Sequence, residues 1–166
     1  MKIPWIISTA AWVQALPAVA VIVRRNLSRP VLWIAAGALV TVVGDLISLV
    51  VARETGNNHW VTYTVTPLTG GAYLLGLAEW QPSYLERLTL RLSVLPFAAA
   101  YLALVFFVED MTTFSEFSGP FFALVILGAA LWTLLRRAFQ PSINSITRAD
   151  WFWVAFGLAL YGATTA

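Results

Sequence analysis

Cysteine is absent from this chain of 166 residues, and histidine and lysine each occur once. Without cysteine there is no disulfide, thiol nucleophile, iron–sulfur cluster or covalently attached c-type haem. The lone histidine, His59, excludes the paired axial ligands of a b-type haem held inside a membrane. The lone lysine is Lys2, so no predicted helix interior offers the amine of a retinal Schiff base. Charge of either sign is also scarce. Only 11% of the residues are charged and 60% are apolar, against about 25% and roughly 45–50% in soluble domains. There is no Walker loop, no G-x-S-x-G, no H-E-x-x-H, no array of acidic metal ligands and no arginine ladder within an apolar run. These gaps remove P-loop chemistry, the common hydrolase signatures and voltage sensing, and no metal or cofactor is expected. The net charge of +2 comes from basic residues scattered over loops. They form no patch that would hold nucleic acid.

What remains is a membrane composition. Apolar runs of bilayer-spanning length recur between short polar breaks, because about 20 helical residues cross a hydrocarbon core of roughly 30 Å. Six such runs are predicted: Ile3–Val23, Val31–Ala52, Trp60–Trp80, Leu88–Val108, Phe117–Leu135 and Trp151–Thr165. The expected fold is an all-α, polytopic transmembrane bundle, a single domain over residues 1–166. Ser83–Glu86, Thr113–Glu116 and Thr147–Asp150 each fit a capping box, and Asn57 or Asn58 offers a cap to the third helix. The first run, with Lys2 before it and Ala18-Val19-Ala20 within it, has the shape of a secretory signal. Arg24, Arg25 and Arg29 follow at once and disfavour translocation, so it is read as a retained helix. The last run reaches Ala166 without a polar tail, which leaves two readings: a terminus near the interface, or a seventh helix further on.

Basic residues set the orientation. Eight arginines lie in the loops after the first, third and fifth runs, whereas only Lys2 and Arg53 lie on the opposite side. The positive-inside rule therefore places the amino terminus outside and those three loops in the cytoplasm. Trp5, Trp60, Trp80, Trp132 and Trp151 fall near predicted helix ends and read as interfacial anchors. Pro17 and Pro96 mark kinks.

An acid within hydrocarbon costs about 2.5–3.5 kcal/mol on insertion scales and is a functional candidate by default. Asp45 is the clear case, seven residues inside Ala52 and so about 10 Å from that helix end. The short link from Arg53 to His59 makes the second and third runs antiparallel neighbours, which puts Asp45 level with Thr66 and Pro67. Pro67 has no amide for the Tyr63 carbonyl, so a kink is expected there. Two polar stripes, His59/Tyr63/Thr66/Gly70 and Thr62/Thr66/Thr69/Tyr73, meet at Thr66. Thr9, Trp12 and Tyr161 reach the same depth. The candidate site is thus a cavity built from Asp45, Thr62, Tyr63, Thr66 and Tyr161, with His59 at its outer end and Asp45 buried. A plainer reading stands beside it: membrane threonines and an acid also serve as interhelical glue at roughly 0.6 kcal/mol per bond. His59 likewise reads as an interfacial residue more readily than as a ligand.

Gly44-Asp45-Leu46-Ile47-Ser48, then Gly56-Asn57-Asn58-His59-Trp60 leading to Tyr63, with Trp151-Phe152-Trp153 and Leu160-Tyr161-Gly162, resemble a group of small bacterial membrane proteins of six or seven helices without an assigned activity. The resemblance covers about a quarter of the chain and implies residence in a bacterial inner membrane. The Gly44-Asp45-Leu46 element is also similar to one in the lysoplasmalogenase-like membrane hydrolases, which implies lipid hydrolysis. The chain departs from that family by lacking its further acidic and histidine positions inside helices.

Two functional readings follow. One is a non-enzymatic bundle, either a sensor of a small molecule or lipid or an accessory subunit of a larger membrane complex or homo-oligomer. The other is an intramembrane lipid-modifying hydrolase with Asp45 as general acid or base. A small transporter is a third reading, which lacks a visible inverted repeat.

Overall fold

A computed structural model describes residues 27–139 and 149–165, and every described regular element is helical. The helices are α1 (Arg29–Thr55), α2 (His59–Glu79), α3 (Tyr84–Leu92), α4 (Val94–Phe107), α5 (Ser118–Ala138) and α6 (Asp150–Thr165). The predicted run Ile3–Val23 and the Thr147 half of the Thr147–Asp150 capping box of the sixth run lie outside the described residues. Among the described residues three helices are long and apolar enough to cross a bilayer: α1, the rod formed by α3 and α4, and α5. Polar threonines lower the hydropathy of α2. The 16 residues of α6 span about 24 Å, short of a hydrocarbon core.

Local chemistry explains most boundaries. Pro30 occupies the first turn of α1, where its missing amide costs nothing. Gly56 ends that helix at φ 73°, a left-handed conformation that suits glycine, and its amide donates to the Ala52 carbonyl. At α3, Ser83 accepts from the Glu86 amide at 3.2 Å. Only that half of the predicted capping box forms, because Glu86 turns away to pair with Arg136. Asn57 Oδ1 accepts from the His59 amide at 3.0 Å, while the Asn58 carboxamide donates to Ser48.

One expectation is refined and one needs correction. The predicted run Leu88–Val108 falls almost wholly within the single span Tyr84–Phe107, with a turn at Ser93 where Pro96 has no amide for the Leu92 carbonyl. Thr113–Glu116 is not a capping box. α5 starts at Ser118, and the remote carboxylate of Glu109 caps it by accepting from the amides of Phe117 at 2.7 Å and Ser118 at 2.9 Å. By contrast, α2 runs unbroken past Pro67.

α2 holds the centre, packed against α1, α3, α4 and α5, while α6 lies along α5. The α1–α2 seam is close because glycines face bulk. A Cβ on Gly37 would come within 2.6 Å of Tyr73, on Gly44 within 2.5 Å of Val65 and on Gly76 within 2.7 Å of Ile34. Each step toward Thr55 on α1 is matched by a step back toward His59 on α2. Leu74, Leu77, Phe97, Tyr101, Phe122, Ile126 and Ala155 fill the core. Trp80 and Trp151, read from sequence as interfacial anchors, are buried there as well, whereas Trp60 and Trp132 are half exposed.

Candidate functional site

Thr41, Asp45 and Ser48 follow one another at helical spacing along α1, and Thr62, Thr66 and Thr69 do the same along α2. The antiparallel seam turns the two rows toward each other. Because Gly44 admits Val65, the rows close around a cavity of about 210 Å³, with Phe122 of α5 and Tyr161 of α6 on the far wall. Its floor is already hydrogen-bonded. Thr41 Oγ1 lies 3.1 Å from the Gly37 carbonyl and 3.1 Å from Thr69 Oγ1. With the one Thr41 proton on Gly37, the Thr69 hydroxyl donates to Thr41. Thr66 Oγ1 donates to the Thr62 carbonyl at 2.8 Å.

Asp45 differs from these neighbours. Among the described residues no hydrogen bond or ion pair holds its carboxylate. It stands exposed at the rim of the cavity rather than buried as predicted. Tyr161 faces it across the opening.

Of the sequence-derived candidates, the structure brings Asp45, Thr62, Thr66 and Tyr161 to this cavity. His59 and Tyr63 line a second hollow of about 220 Å³ with Thr113 and Phe114, and Thr62 belongs to both. The Tyr63 hydroxyl donates to the Thr113 carbonyl at 3.3 Å. The His59 ring meets Phe114 edge-on, with centroids 4.4 Å apart. Thr9 and Trp12 lie outside the described residues.

Sequence reasoning missed Thr41, Ser48 and Thr69 as wall residues, although their spacing about Asp45 and Thr66 was there to be read. It also missed a polar cluster behind Thr66. Tyr101 and Ser118 are fully buried, and the Tyr101 hydroxyl lies beside Thr66 and Ser118 without reaching hydrogen-bond geometry. Ser118 in turn adjoins Glu109. Burial alone would raise the Glu109 pKa, but the Ser118 hydroxyl and the amides of Ser118, Phe117 and Glu116 outweigh it and hold the carboxyl below its ordinary value. No signal in one sequence links residues this far apart.

Among the described residues no group of three or more histidine, cysteine or acidic side chains converges on a point where a metal ion would sit. Compared with known proteins, the chain matches no family model, no curated sequence and no solved structure. The fold therefore defines a class only: a protein that is all-helical among the described residues, with three helices there long and apolar enough to cross a membrane.

Proposed function

We propose that this chain is a polytopic membrane bundle whose cavity at Asp45 binds a small polar molecule, so that the protein acts as a small-molecule sensor rather than an enzyme. The observation that carries this reading is the carboxylate of Asp45, without a hydrogen bond or ion pair among the described residues, at the rim of a cavity whose other polar side chains are hydroxyls. An acid held only for packing would be bonded to a neighbouring hydroxyl, as Thr41 is to Thr69. One acid among hydroxyls suits a ligand that brings a cation or several donors, such as a small amine or polyol. Hydrolysis would call for a second titratable group placed to share proton transfer. Among the described residues Tyr161 is the one candidate in the cavity for that role.

In this reading the six predicted runs all cross the bilayer, with the Gly56 and Glu109 loops outside and the arginine-bearing end in the cytoplasm. The cavity then opens in the outer half of the membrane.

The test is binding of a panel of small amines and polyols to the protein in lipid nanodiscs, followed by thermal shift and native mass spectrometry. A ligand that raises the melting temperature of the parent and leaves folded Asp45→Asn unmoved supports the sensor. Equal shifts in the two proteins, or none in either, would assign Asp45 to packing. Turnover of a lipid that Asp45→Asn abolishes would make the protein a hydrolase.

A further inference from the structure

At the end opposite Asp45, a groove of about 530 Å³ opens between α2, α3 and α5. Its volume falls in the roughly 300–1,000 Å³ range of ligand sites. Leu74 forms its base, Leu85 and Leu90 one wall, and Leu124, Gly128 and Trp132 the other. A Cβ added to Gly128 would meet nothing within 4 Å, so the groove is open there rather than a packed seam. One end of this apolar channel is strongly basic. Glu86, itself a groove residue, pairs with Arg136, and the Arg136 guanidinium lies 5.8 Å from the centre of the Trp132 ring. Arg91 pairs with Glu79. Arg87 donates to the Gln81 carbonyl, Arg137 donates to the Trp80 carbonyl, and the two guanidiniums are near enough to repel. Arg136 stands beside the groove through Glu86 and Trp132, and Arg87, Arg91 and Arg137 lie at the same end of α2 without lining it.

We infer that this groove holds one phospholipid of the surrounding bilayer with an anionic head group. An acyl chain lies along Leu85, Leu124 and Gly128, and the phosphate rests against the arginines beyond Trp132. Arginine presents a fork of donors to phosphate, and its surplus of charge here discriminates against a zwitterionic head group. The inference shares with the sensor reading only residence in a membrane. It would stand if Asp45 proved to be packing.

The protein is placed in nanodiscs of equal parts phosphatidylglycerol and phosphatidylcholine and released for native mass spectrometry. The expected result is one retained phosphatidylglycerol, at least fivefold over phosphatidylcholine. Gly128→Leu fills the groove without a clash and should bring that ratio to parity while the helical circular dichroism is unchanged. Leu124→Trp fills it from an exposed position and serves if the first variant misfolds. Arg136→Gln should lower the ratio at least twofold. Equal retention of the two lipids by the parent, undiminished retention in both filled variants, or a lipid-free dimer would overturn the proposal.

Discussion

The two ends of the bundle use the same ingredients in opposite ways. At the Asp45 end, Gly44 brings helices together, with Val65 only 2.5 Å from where a Cβ would stand. At the arginine end, Gly128 faces open space, with nothing within 4 Å of where a Cβ would stand. The acids differ as well. Glu109 holds backbone amides at the start of α5, whereas Glu79 and Glu86 hold arginine side chains. The first end is small, polar and fixed by backbone. The second is wide, apolar and fixed by side-chain ion pairs. Residue type alone therefore says little: a glycine or a glutamate takes its meaning from the element it faces.

The sharpest way to break this contrast is Gly44→Leu. Overpacking against Val65 should cost about 1–3 kcal/mol, read as a lower midpoint in thermal unfolding in detergent. Val65→Ala in the same chain should restore part of the loss, and no recovery would mean that the seam does not limit stability. Next is Glu109→Gln. Losing a charged cap at a helix start should cost roughly 1 kcal/mol. Because the folded carboxyl is held below its ordinary value, its contribution is present above that value and disappears as pH falls through the lowered one. The parent should thus lose stability on acidification below the ordinary glutamate range. Glu109→Gln should start lower and show a flatter acid limb, and parallel curves would remove the cap from the account.

Smaller effects separate the ends further. Tyr63→Phe removes one hydroxyl bond to Thr113, worth about 0.5–1.5 kcal/mol. It should leave ligand binding at Asp45 unaltered, since Tyr63 faces the neighbouring hollow. Raising salt from low ionic strength to about 1 M should weaken the exposed Arg91–Glu79 and Arg136–Glu86 pairs by at most ~1 kcal/mol together. Hydrogen exchange at the Asp45 end should be unmoved by the same change. Faster exchange in α1 and α2 would show that the two ends are coupled.

The positions of the helices were largely legible. Hydrophobic runs placed α1, α2, α5 and α6 within a few residues of where they lie, since each is set by length and by end chemistry close in sequence. The run Leu88–Val108 falls almost wholly within the span of α3 and α4, and the turn at Ser93 lies where Pro96 marks a kink. The α1–α2 register followed from a three-residue link, which is why Asp45 was set against Thr66. Rotation about each helix axis was harder. Tyr63 and Thr66 share a stripe by spacing, but the packing of α4 and α5 decides that Tyr63 turns toward Thr113 while Thr66 faces Asp45. Glu109 escaped notice for the related reason that its partners begin eight residues away, across a loop.

The matched glycines along α1 and α2 also constrain how such a chain can drift over generations. Gly37 faces Tyr73, Gly44 faces Val65 and Gly76 faces Ile34, so bulk gained on one side is tolerated only where the other side has already shrunk. Descendants of this sequence should therefore carry paired changes of size at these positions, in which the two volumes trade places. The residue after Gly44, being Asp45, inherits its surroundings from that trade.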